Sequence, residues 1–266
     1  MKTAIISLSD EGARIATSVK DGLGDADIFL HAKVSDAFGG RRFKSIITLT
    51  GQIFNRYDGL VYVAPCGVVT RAIAKSIRHK TTDPGVVVVD AGGRFAVSLL
   101  GGHEGGANDL AIAVANIIGG EPVITTTTEA LKSIIVGIGC RKGVKAQAII
   151  EAVDAALKKA GLGRDEVRLL ASANIKSDEK GLLAAASLLG IPLRFISSEE
   201  IRSSRRKFTR SAFVEKKVNL PAVAEPAALL AGRRTRLILP KMTSGPVTVA
   251  LARESFSWSE SAPEAL

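Results

Sequence analysis

Short β-branched runs alternate with helical patterns along the whole chain, and this alternation restricts the fold more than any other feature. Residues 3–8 read as a strand followed by a helix over about 11–20. GLVYVA (59–64) reads as a buried strand with a helix over 68–78 behind it, and VVVVD (86–90) is the clearest strand of all. Residues 95–100 form a further strand, 108–118 a helix and 122–126 a short strand, while 27–30 and 45–48 are weaker strand candidates. Strands that are apolar at successive positions, rather than at every second one, are buried on both faces. Strands of that kind alternating with helices imply an α/β fold with a largely parallel sheet.

The pattern stops at TTTTEALKS (125–133) and then restarts. Residues 134–138 read as a strand and 144–159 as an amphipathic helix. A strand over 167–172 and a helix over 177–189 follow, the helix ended by Gly190 with Pro192 beyond it. Strands over 193–196, 237–239 and 247–252 and a helix over 222–231 complete a second unit. The 266 residues are enough for two domains at roughly 150 residues each. We expect two α/β domains, 1–129 and 130–266, with mostly parallel sheets flanked by helices and a substrate cleft between them. The Ser/Glu/Pro-rich stretch 254–266 is expected to fray.

Composition narrows the classes. Hydrophobic residues are 46% and charged residues 23% of the chain, as in a globular protein with a packed core. No apolar run approaches the ~20 residues that span a bilayer, and the apolar stretch of the opening is too short for a secretion signal. Cys66 and Cys140 cannot make a disulfide framework, so a cytoplasmic location is expected. Three histidines and no CxxC pair argue against a protein-bound metal.

The net charge of +10 is unevenly placed. Residues 1–133 carry 14 basic and 13 acidic side chains, and residues 134–266 carry 22 and 13. Such a half attracts anions such as nucleic acid, an anionic membrane, or a polycarboxylate or phosphate ligand. Aromatics are only 5% and no nucleic-acid motif is present, so nucleic acid is not the expected partner. The run 202–217 has seven basic residues and one acid; it reads as a solvated mobile loop or as a basic flap over an anionic ligand.

Three places join a strand to a helix through glycines: APCG (64–67), GGHEGGAN (101–108) and GIGCRKG (137–143). Glycine permits tight turns and close ligand approach, and the following helix start favours anions. The plainer reading is that these glycines only make compact turns. In the second loop His103 is the acid/base candidate, with Glu104 beside it. Gly101, Gly102, Gly105, Gly106 and Asn108 are candidate binding positions, Asn108 reading as a helix cap first and a ligand second. In the third loop Gly137, Gly139, Arg141, Lys142 and Gly143 are candidates, the two cations sitting at an expected helix start. Cys140 there is either a thiol of lowered pKa or a packed small residue. Gly137-x-Gly139-xxx-Gly143 is a weak dinucleotide pattern without the acid expected on the next strand.

Together these segments resemble the CbiG family of cobalamin biosynthesis, the cobalt-precorrin-5A hydrolases. The resemblance rests on DGLVYVA (58–64), DPGVVVVD (83–90), LLGGHEGGAN (99–108) and PVITTT (122–127) in the first half. In the second half it rests on VGIGCRKG (136–143), IKSDEKGLL (175–183), VAEPAAL (223–229), LPK (239–241) and VTVA (247–250). It implies a hydrolase that opens the δ-lactone of an anionic cobalt-tetrapyrrole with water and releases acetaldehyde. The cobalt belongs to the substrate and no cofactor is required. Glu225, within the matching 223–229 segment, joins the binding set. Two departures stand out. The family's middle segment is missing, since Thr128 leads almost directly into Val136, and Gly101 stands where Ser commonly precedes Gly-His. The alternatives are a non-catalytic corrinoid carrier of the same family and an NAD(P)-dependent oxidoreductase. Neighbouring pathway enzymes are possible partners.

Overall fold

The computed structural model describes residues 1–211, 215–216 and 218–255. The chain forms two compact units, Met1–Thr126 and Thr127–Leu266, both α/β.

The first unit holds β1 (Thr3–Ser7), β2 (Ala26–His31), β3 (Arg41–Phe43), β4 (Gly59–Val63), β5 (Gly85–Val89), β6 (Phe95–Leu100) and β7 (Glu121–Val123). They lie in the order β3-β2-β1-β4-β5-β6-β7. Every neighbouring pair is parallel except β5 with β6. Those two strands are joined by a tight turn in which Asp90 accepts the backbone N–H groups of Gly92, Arg94 and Phe95, and so short a link cannot make a parallel crossover. Both faces of the sheet are covered. Ile5, Val61, Val87 and Val89 pack on one side with α1 (Asp10–Leu23) and α4 (Ala107–Ile118). Ile6, Tyr62, Val86 and Val88 pack on the other with α2 (Ile46–Ile53) and α3 (Cys66–Ile73). The period of two along a strand sends successive valines to opposite cores, which is why VVVVD is continuous.

Residues 45–48 are not a strand. Ser45 caps α2, its side chain accepting the Thr48 N–H, and Leu49, Thr50 and Ile53 form the buried stripe. The capping hydroxyl and the helical spacing outweigh the β-branched residues here.

The second unit holds α5 (Thr127–Leu131), β8 (Ile134–Cys140), α6 (Ala146–Ala160), β9 (Val167–Ala173), α7 (Lys180–Leu189), β10 (Leu193–Ile196), α8 (Ser198–Ser203), α9 (Ala224–Leu230), β11 (Thr235–Ser244) and β12 (Val247–Glu254). Its sheet runs β10-β9-β8-β12-β11. β8, β9 and β10 are parallel, whereas β12 is antiparallel to both neighbours. Gly245, at φ 55°, and Pro246 are the whole connection between β11 and β12, so these strands must form a hairpin. Ile134, Val136 and Ile138 face α6 and α7, while Ile135 faces the core beneath α9. The expected fraying does not begin at 254. Glu254 ends β12 buried, paired with Arg168 and accepting the Arg233 N–H; residues 256–266 lie outside the described residues.

Candidate functional site

The GGHEGGAN loop connects β6 to α4. Gly101 and Gly106 both have left-handed backbone, φ 69° and 74°. The carbonyl of Gly101 accepts the N–H groups of Gly105 and Ala107, each at 3.0 Å, and that of Gly102 accepts Asn108 N–H at 3.0 Å. Gly106 N–H donates to His103 O at 3.2 Å. A side chain on Gly105 would strike the backbone of Gly85 and Asp83 at 2.9–3.0 Å, and one on Gly85 would meet the Gly105 carbonyl at 2.5 Å. The glycines therefore knot the loop onto the start of β5. The amides of Gly105, Gly106, Ala107 and Asn108 are committed to that knot, so they are not the anion donors suggested by a helix start. His103 and Glu104 stand exposed at the tip.

Glu104 pairs with Lys80 at 3.5 Å. Its own backbone N–H first, against slight burial, and then Lys80 hold its carboxyl below the usual carboxylate range. Asn108 is buried, accepting from Ser98 Oγ at 2.8 Å and donating to Thr126 Oγ1 at 3.0 Å. Its amide ties β6 to the end of the unit and is neither a cap nor an exposed ligand group.

GIGCRKG departs further from expectation. Gly137 and Gly139 lie within β8, not in a turn. Gly137 is buried, and a Cβ there would lie 1.9 Å from the Ala224 carbonyl and 2.8 Å from Ala228; the missing side chain admits α9, not a ligand. Because α6 starts only at Ala146, Arg141 and Lys142 occupy the preceding turn and do not oppose its dipole. These positions also remove the dinucleotide reading, which needs its glycines between strand and helix. Gly143 N–H donates to Glu179 Oε1 at 2.8 Å. Burial raises the Cys140 thiol pKa, with Lys176 opposing and Glu179 adding to the effect, so this cysteine packs and is not an activated nucleophile.

Beside this turn the second unit encloses a cavity of about 530 Å³. Four cationic residues line it: Arg141, Lys142, Lys176 and Lys241. Lys176 closes the 3-10 turn Asn174–Lys176; only 16% of its side chain is exposed, and its Nζ is 3.6 Å from Glu179. Ile175 and Val223 supply apolar wall. Glu225 is the one acidic lining residue among those described. It is 1% exposed, and its two oxygens accept the N–H groups of Thr209 at 2.5 Å and Lys241 at 2.9 Å. It therefore holds two walls together and is not a ligand group in its own right.

The segment at 204–211 is pinned, contrary to a solvated mobile loop. Arg206 donates to Thr235 O, Phe208 packs on the core, and Ser211 N–H donates to Pro221 O. Residues 212–214 and Lys217 of the basic run lie outside the described residues. Sequence reasoning missed Lys176, Lys241 and Glu179. The charge excess of the second half pointed to such residues without saying which ones the fold gathers.

The chain thus consists of two α/β units, one carrying a glycine-knotted histidine loop and the other a cavity lined by four cations. The cobalamin synthesis G N-terminal family model matches residues 48–129 and the cobalamin synthesis G C-terminal model matches residues 134–252. The chain belongs to the cobalamin synthesis G family.

Among its relatives is the cobalt-precorrin-5A hydrolase of Priestia megaterium, 23% identical over 354 aligned positions that take in 94% of each chain. That alignment is longer than this chain, so the relative carries insertions. Protein CobE of a Sinorhizobium species is 33% identical over 128 residues, 47% of this chain and 83% of that protein. The crystal structure of CobE, a protein from the cobalamin biosynthetic pathway, aligns with 46% of this chain and 92% of its own at 32% identity and a TM-score of 0.44. Among the described residues no helix is long and apolar enough to cross a membrane.

Proposed function

We propose that this chain is a cobalt-precorrin-5A hydrolase. The observation that carries the reading is the pair of family models in chain order over both units, joined by a relative of that name aligned across 94% of both chains. In this reading water attacks the δ-lactone carbonyl and the acyl–oxygen bond breaks. The carbonyl carbon becomes a carboxylate, and the freed oxygen is left as an alkoxide. That alkoxide becomes the carbonyl of acetaldehyde as the adjacent carbon–carbon bond breaks, and the ring carbon that keeps the electron pair takes a proton. His103 is the base that activates the water. Glu104, ionised beside Lys80, steadies the loop and does not deliver protons. Arg141 and Lys142 hold peripheral carboxylates of the substrate.

Cobalt-precorrin-5A and purified protein, kept anaerobic, test this through an enzymatic assay for acetaldehyde. We expect stoichiometric release, and a His103→Ala rate lower by ~10²–10⁴. Tight binding of the tetrapyrrole with no acetaldehyde overturns the hydrolase reading in favour of a carrier. A wild-type rate in His103→Ala removes the base assignment alone.

A further inference from the structure

A second hollow, of about 430 Å³, lies in the first unit between the edge strand β3 and α2. It shares no lining residue with the histidine loop or with the cavity of the second unit. Its floor is apolar, made by Phe29, Phe43 and Leu49, all buried. Arg41, Arg42 and Lys44 bring charge, and no acidic residue among the described ones lines it. Ser45, Thr48 and Gln52 also line it. Spaced three and four residues apart, they share one side of α2 and add neutral hydrogen-bonding groups.

The three cations are not equivalent. Arg42 is spent on the protein itself. Its guanidinium donates to the carbonyls of Val34, Ser35 and Phe38 at 2.7–3.1 Å and lies 3.2 Å from Asp36, so it fixes the wall. Arg41 lies over the Phe29 ring, 5.7 Å from its centre, with 68% of its side chain exposed. Asp27, 3.8 Å away, sets it there and is itself held by the Tyr57 hydroxyl at 2.6 Å. A guanidinium with one face on an aromatic ring offers its other face to a second flat ring. Lys44 is exposed and makes no ion pair among the described residues. Its ammonium keeps three donors for a ligand, and His31 Nε2, 3.1 Å from the Lys44 carbonyl, pins the main chain beneath it.

A stacking guanidinium, a free ammonium and neighbouring hydroxyls over an apolar floor suit a ligand with a flat ring and a phosphate, and the volume is that of a small-molecule site. We infer that this hollow binds a nucleoside monophosphate, its base laid on Arg41 and its phosphate held by Lys44 with the hydroxyls of Ser45 and Thr48. An added peptide strand fits less well. Ala32 N–H donates to Phe43 O, and in this parallel register Arg41 and Phe43 turn their backbone groups to β2. Arg42 is then the one residue of β3 whose backbone faces outward, too little for a ladder. The inference does not rest on the hydrolase reading.

The test is isothermal titration of the full chain with the 5′-monophosphates of adenosine, guanosine, cytidine and uridine. We expect saturable one-to-one binding of at least one of them, tighter than about 1 mM. The matching nucleoside alone and inorganic phosphate alone should each bind at least ~10-fold more weakly. Binding should weaken with salt, and as pH falls through about 6, where the phosphate takes up a proton. Lys44→Gln and Arg41→Gln should each weaken it ~10-fold. Lys44→Arg should retain most of the affinity, whereas Arg41→Lys, which keeps the charge and loses the plane, should not. Lys159→Gln, in the second unit, should change nothing. Circular dichroism checks that each variant is folded.

Absence of saturable binding by all four nucleotides overturns the inference. So does inorganic phosphate binding as tightly as the nucleotide, which would make the hollow an oxyanion patch only. Wild-type affinity in both folded glutamine variants overturns it as well. If Arg41→Gln does not fold, Lys44→Gln and the fragment comparison decide alone. Acetaldehyde release from cobalt-precorrin-5A should be the same in Lys44→Gln as in the wild type, so the failure of either reading leaves the other standing.

Discussion

Replacing Gly137 by alanine separates a packing glycine from a ligand-contacting one. The added methyl would sit 1.9 Å from the Ala224 carbonyl and 2.8 Å from both the amide and Cβ of Ala228, where ordinary contact needs about 3.5 Å or more. The obstacle is the backbone of α9, so relief requires moving the helix away from β8. Helix α9 also carries the buried Ala227, Ala228 and Leu229 and Glu225 with its two backbone ties, so it has little room to move. Overpacking a closed core costs about 1–3 kcal/mol, occasionally more, and this site belongs at the upper end because backbone is what must yield. For a protein of this size about 3 kcal/mol corresponds to a Tm lower by roughly 6–12 °C. Thermal unfolding by circular dichroism measures the loss, and hydrogen exchange should place it on β8 and α9, with the first unit's sheet unaffected. An unchanged Tm with weakened corrinoid binding would refute the argument, because it would mean that Gly137 borders ligand and not helix.

The same substitution should have the opposite sign at Gly51. That residue lies inside α2, without a left-handed φ and with nothing within 4 Å of the place a Cβ would take, so Gly51→Ala should stabilise by about 0.5–1 kcal/mol in denaturant unfolding. Asn108→Ala strands the hydroxyls of Ser98 and Thr126 and should cost about 1–3 kcal/mol by the same assay. Tyr62 is buried against Thr50 Oγ1 at 2.9 Å, and burial, partly offset by that hydrogen bond, pushes its pKa up to about 12. The folded state thus holds the proton longer than the unfolded chain. Its contribution is complete below pH ~10 and is lost as pH rises from there through 12, about 3 kcal/mol in all; Tyr62→Phe should show a correspondingly flatter alkaline stability profile. Cys140, its thiol raised by burial, should react with iodoacetamide more slowly at pH 7.5 than exposed Cys66, and comparable rates would contradict its packed environment.

The parts of this molecule legible in the sequence are those fixed by local periodicity. GLVYVA and VVVVD announce strands buried on both faces because each residue's neighbours two positions away share its core. Strands over 95–100 and 193–196 emerge with the same bounds in the fold. Residues 45–48 are not legible in this way, since four β-branched or polar residues carry no sign of whether Ser45 will cap a helix. The glycine motifs are ambiguous for a different reason. A glycine in sequence records that a side chain is excluded, but not by what. In GGHEGGAN the excluding atoms are the backbone of Gly85 and Asp83, and in GIGCRKG they belong to α9, more than 80 residues away along the chain. The cavity cations show the converse. Arg141 and Lys142 are visible because they flank glycines, whereas Lys176 and Lys241 are ordinary surface-type lysines until the order β10-β9-β8-β12-β11 brings the turn after β8, the turn after β9 and a residue within β11 to one cavity. The gathering of these cations therefore depends on strand order. A substitution that alters how β12 pairs with β8 should disturb anion binding even though it touches no cation.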